Sequence, residues 1–99
     1  MARVYIYHSY KLKEGKSEQD FLRVAEKFSS DPGLKTKGFI SWTLLKDGDI
    51  WADILVYESM EDFQNANEFI HKNPLVHELA SFFDISSITG HRFTIAADT

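Results

Sequence analysis

Ser17 and Ser59 each follow a run rich in β-branched and aromatic residues, and each stands three positions ahead of an aspartate, Asp20 and Asp62. A hydroxyl with a carboxylate three residues on satisfies the free amides of a helix start, so both places mark a strand running into a helix. Ahead of Ser17, residues 3–12 read as a strand that Lys13-Glu14-Gly15-Lys16 breaks. Behind it, Phe21, Leu22, Ala25 and Phe28 fall at i, i+1, i+4 and i+7, one apolar helix face, and Asp31-Pro32-Gly33 ends the helix. Two further strands, over 36–45 and 50–57, are joined by Lys46-Asp47-Gly48-Asp49, whose Asp-Gly pair tolerates the positive φ of a tight hairpin.

After Ser59 the stripe Phe63, Ala66, Phe69 and Ile70 predicts a second helix, which Asn73-Pro74 interrupts. Asn is a good cap and Pro suits a first helical position. A further helical segment carrying Leu75, Val76, Leu79, Ala80 and Phe83 therefore starts there. A last strand is expected over 85–95, with Gly90 a bulge or twist point. The order is β-α-β-β-α-β, the ferredoxin-like arrangement. At 99 residues the chain is expected to be one α+β domain spanning 1–99, a four-stranded antiparallel sheet with its helices on one face.

Such a sheet should be polar on its uncovered side. Here the strand over 50–57 alternates Ile50, Ala52, Ile54 and Val56 with Trp51, Asp53, Leu55 and Tyr57, and the first strand alternates Val4, Ile6, His8 and Tyr10 with Tyr5, Tyr7 and Ser9. Large side chains on both faces imply that both are covered, most simply by a second copy packed face to face around a two-fold axis as a barrel of two chains. Eight Phe, four Tyr and two Trp supply the area for such an interface or for a pocket.

Other classes are disfavoured. Eleven Lys and Arg against fifteen Asp and Glu form no basic cluster, so no nucleic-acid partner is expected. Without cysteine there is neither a disulfide nor thiolate chemistry. No signal-like or membrane-length apolar run is present, so the expected location is cytoplasmic, with no membrane partner. His8 and His91 fall on strands expected to be neighbours and could share a face, but two imidazoles make a poor metal site, and hydrogen-bonded structural histidines are the expectation. His71 and His77 read as surface or pocket-rim residues.

Tyr57-Glu58-Ser59, with Trp51 and Asp53 before it and Phe63 and Asn73-Pro74 after it, resembles the strand-to-helix junction of the antibiotic-biosynthesis-monooxygenase-like group of the dimeric α+β barrel superfamily. The resemblance implies a homodimer joined through its sheet faces, with a small-molecule pocket between sheet and helices of each protomer. Its quinone-forming branch has an amide where Asp53 stands, a Trp at Tyr57, a Tyr at Phe63 and an Arg near Ala80. Its haem-degrading branch would want a Trp near Ala66 or Asn67 and an iron-ligating His near Leu79, so neither haem nor another cofactor is expected.

Apolarity alone would turn Ile50, Ala52, Ile54 and Val56 toward the helices, whereas the resemblance turns Trp51, Asp53 and Tyr57 that way. On the second reading Asp53 is a catalytic base and Tyr57 a catalytic hydrogen-bond donor. Trp51, Phe63, His77 and His91 are then substrate-binding residues for a small hydrophobic or aromatic molecule. The other reading of Asp53 is a carboxylate satisfied by backbone amides, an Arg or a hydroxyl. The implied function is a small-molecule-binding dimeric barrel acting as a cofactor-independent monooxygenase on an electron-rich aromatic. The alternative is a non-catalytic ligand-binding or interaction module.

Overall fold

The computed structural model describes residues 2–99. Its elements are β1 (Val4–Tyr10), α1 (Glu18–Ser29), β2 (Phe39–Asp47), β3 (Ile50–Tyr57), α2 (Met60–Lys72), α3 (Pro74–Ala80), a single 3-10 turn (Ile85–Ser87) and β4 (Thr89–Thr94). The Oγ atoms of Ser17 and Ser59 accept the amides of Asp20 and Asp62 at 3.2 and 3.1 Å, so α1 and α2 begin where the two capping signatures stand. Asn73 ends α2 and caps α3, its side chain accepting the Leu75 amide at 2.9 Å and donating to Asp31. Among the described residues no helix is long and apolar enough to cross a membrane.

The four strands form one antiparallel sheet in the order β2-β3-β1-β4, with all three helices against one face. Gly48, at φ +62°, opens a two-residue hairpin loop between β2 and β3, where a Cβ would be strained. Val4, Ile6 and Tyr10 of β1 and Trp51, Leu55 and Tyr57 of β3 are buried beneath the helices. The face bearing Trp51 is thus the inner one, although apolarity alone selects the other. Trp and Tyr bury far more area than the Ile and Ala of the opposite row, and that gain outweighs placing Asp53 among them. Phe21 lies at the centre of this core, its ring 5.1 Å from that of Trp51, 5.6 Å from Phe82, and 6.1–6.2 Å from Phe83 and Tyr10.

Several boundaries differ from those expected. β2 starts at Phe39 rather than residue 36, because residues 36–38 form a turn closed by Gly38 at φ +84°. Residues 85–87 form the 3-10 turn, capped by Asp84 through the Ser86 amide, so β4 is shorter than 85–95. Gly90 pairs in register with His8, and the irregularity of the sheet lies instead between Phe39 and Ser41. On α1 the buried stripe is Phe21, Val24, Ala25 and Phe28, with Leu22 turned to solvent; on α2 it is Phe63 and Ala66, with Phe69 exposed.

Among the described residues no helix covers the outer face of the sheet. Tyr5, Tyr7, Ile54 and Val56 lie at its middle, Leu45, Ile50 and Phe93 are exposed on it, and the Tyr7, His91 and Phe93 rings stack at 5.3–6.4 Å. An apolar, aromatic face of this kind is what a partner surface requires.

Candidate functional site

One row of residues crosses the inner face of the sheet: Leu44, Asp53, His8 and Gly90 stand opposite one another on β2, β3, β1 and β4. On β1 and β3 the rows to either side carry Ile6, Tyr10, Trp51 and Leu55, which fill the space under the helices. Beyond Leu44 this row carries the polar Asp53 and His8 and the bare Gly90, and the layers do not close there. The gap is a cavity of about 530 Å³ between the sheet, α2 and α3, within the range of small-molecule sites. Ile6, His8, Trp42, Asp53, Leu55 and Arg92 line it from the sheet, Phe63, Asn67, Ile70 and His71 from α2, and Val76, His77, Leu79 and Ala80 from α3.

Asp53 has two partners there. The Tyr10 hydroxyl donates to its Oδ2 at 2.9 Å, and Nδ1 of His8 lies 3.5 Å from its Oδ1. Burial, and then the neighbouring Asp53 charge, push the Tyr10 phenol far above its usual range, so it stays protonated and serves only as a donor. Oδ2 is thereby occupied, and Oδ1 is left to the imidazole. The 3.5 Å separation is an electrostatic contact, of the kind that tightens to a hydrogen bond when a ligand fills a site. A proton held on Nδ1 toward a carboxylate leaves Nε2 with the free lone pair.

Gly90 leaves room for the ring. The imidazole reaches from Asp53 on one side to Gly90 on the other, and a Cβ on Gly90 would lie 3.1 Å from His8 Cδ2 and 3.5 Å from Nε2. Gly90→Ala is therefore expected to push the ring out of line with Asp53. The ring resonances of His8 should move in a proton–carbon NMR spectrum while the indole signal of Trp51 stays in place; unmoved His8 resonances would show that the glycine has no part in seating the ring.

Arg92 enters from β4, its guanidinium 5.0 Å above the centre of the Phe63 ring. Among the described residues it makes neither an ion pair nor a side-chain hydrogen bond.

Of the residues singled out in the sequence, Asp53, Phe63 and His77 line the cavity and Tyr57, Trp51 and His91 do not. Tyr57 is fully buried, its hydroxyl donating to the Leu34 carbonyl at 3.2 Å and lying 3.1 Å from Thr36 Oγ1. Burial raises its pKa, the Thr36 contact offsets part of that, and Asp62 adds to it. The phenol is spent on holding the α1–β2 connection to β3. Trp51 packs edge-on against Phe21 outside the cavity. His91 pairs with Tyr7 rather than His8, which turns it to the outer face, so the two imidazoles do not share a side. Asp53 has a hydroxyl partner, that of Tyr10.

His8, expected to be a structural histidine, lines the cavity, as do Asn67 and Arg92, which were not expected there. His8 alternates with Val4 and Ile6, and that signal was available. Arg92 carries none, because the inward row of β4 depends on the register of Gly90 against β1.

The sequence matches no family model and no curated protein. Solved structures do match. A variant of SnoaB, a cofactor-independent oxygenase from Streptomyces nogalater, superposes with TM-score 0.79 at 16% identity, over 97% of this chain and 95% of that one. A dimeric ferredoxin-like protein from an uncultured marine organism gives 0.76 at 18% identity, over 100% and 92%. A candidate antibiotic biosynthesis monooxygenase from Chloroflexus aurantiacus gives 0.67 at 11%, over 98% and 96%. At these identities the likeness is one of fold, and that fold is the ferredoxin-like α+β arrangement expected from the order of elements.

Proposed function

We propose that two copies of this chain pack their outer sheet faces together as a dimeric α+β barrel, and that each protomer binds a small aromatic molecule in the cavity and removes a proton from it. The observation that carries this reading is the Tyr10–Asp53–His8 arrangement, with Asp53 and His8 on the sheet wall of the cavity. A carboxylate held by a permanent donor orients an imidazole, and the imidazole presents Nε2 as a general base. The base is then His8, with Asp53 acting through it. Cofactor-independent oxygenation suits such a site: an electron-rich aromatic, once deprotonated, passes an electron to oxygen itself, and the protein need supply only a base, orientation and exclusion of water. The fold shared with SnoaB, a cofactor-independent oxygenase, supports this choice over other proton-transfer chemistry.

The test is oxygen uptake over a panel of dihydroxynaphthalenes. The chain is expected to accelerate uptake above the spontaneous rate, and His8→Ala and Asp53→Asn to lower that acceleration by about 100-fold or more, the usual share of a general base. Acceleration that survives His8→Ala would remove the imidazole from the reaction. Saturable binding without uptake by any member would favour the non-catalytic ligand-binding module instead.

A further inference from the structure

We propose that the ligand of this cavity is an aromatic acid, its ring body held among Phe63, Leu55 and Leu79 and its anionic group held by Arg92; the inference rests on the cavity being a small-molecule site. Three observations converge on it. The guanidinium of Arg92 lies over the Phe63 ring at 5.0 Å, and its inward position on β4 sets it across the sheet from Ile6. Stacking on an aromatic ring holds the planar group while leaving its N–H edge free. That edge has no acceptor, since no described side chain pairs with it. A planar fork of donors fits two oxygens of a carboxylate better than any neutral group.

The rest of the lining agrees. Beside Arg92 its polar members are His8, His71, His77 and Asn67, and among the described residues its sole carboxylate is Asp53. Tyr10 and His8 already occupy Asp53. The cavity thus offers one cation with its donor edge open, while its carboxylate is engaged by Tyr10 and His8, in a chain whose formal net charge is −4. Arg92 is still open to solvent, so an incoming anion can reach it before the ring body is enclosed. Such an acid would lie with its charge toward β4 and its body across the row that carries His8.

Two probes of equal shape separate the charge from the ring: 2-naphthoate and the neutral 2-naphthalenemethanol, each titrated calorimetrically into the full chain. Naphthoate is expected to bind about tenfold tighter or more, the scale of a hydrogen bond to a charged group. Arg92→Gln should erase the difference by weakening naphthoate alone, and Arg92→Lys should keep part of it. Ala80→Trp, which fills the cavity from α3, should abolish both and so place the binding. Equal affinities in the wild type, or a preference that survives Arg92→Gln, would overturn the acid. If both probes bind alike and Ala80→Trp removes both, the acid falls while the small-molecule site stands; if neither probe binds, both fall.

Discussion

Phe21→Ala is expected to remove about 3–5 kcal/mol from the free energy of unfolding, the cost of taking a whole ring out of a packed core. Small domains have only about 5–15 kcal/mol in all, so the variant should be largely unfolded well below the wild-type melting temperature. The ring is fully buried and touches Trp51, Phe82, Phe83 and Tyr10, which come from three separate parts of the chain. No neighbour can close the void without pulling α1 off the sheet. Phe69→Ala makes the control: that ring is 66% exposed, and its loss should change stability by no more than about 0.5 kcal/mol. Urea melts of both variants beside the wild type, at one protomer concentration, measure the two values. A Phe21→Ala cost under about 1.5 kcal/mol would mean that the aromatic cluster is not the centre of the core.

Ile54→Lys should separate the two copies of the proposed dimer while leaving each protomer folded. Ile54 lies in the middle of the outer face, between Thr43 on β2 and Tyr7 on β1. In a single chain a lysine there reaches water at little cost. In a two-fold interface the same substitution places an unpaired ammonium from each protomer against an apolar surface, and leaving a charge buried without a partner costs several kcal/mol. The dissociation constant should rise by about 100-fold or more, since each 1.4 kcal/mol is a factor of about ten. Sedimentation equilibrium at micromolar concentration is expected to give twice 11.4 kDa for the wild type and 11.4 kDa for the variant. A wild-type monomer, or a variant that sediments as a dimer, would show that this face is not the contact.

Much of the architecture was legible in the chain because its signals act over a few residues. Ser17, Ser59 and Asn73 start their helices by accepting amides two or three positions on. Gly48 closes a two-residue loop because it alone there can take a positive φ without strain. From such local signals the order of elements follows, and with it the ferredoxin-like sheet. Which side of each strand faces the helices does not follow. Alternation is symmetric, and a shift of one residue exchanges the two faces. The apolar row of β3 looked like the inner one, yet packing turned Trp51 and Tyr57 inward because their rings bury more area, and Tyr10 and His8 give Asp53 the partners it needs there. The site divides the same way. Asp53 and Phe63 stood out by residue type and spacing, but the pairing of Tyr57 with Leu34, the turning of His91 away from His8, and the entry of Arg92 all depend on contacts between residues far apart in sequence. Capping and turn chemistry, being local, were written in the sequence by itself; register and the facing of side chains, being agreements between distant segments, were decided only when the sheet and helices packed.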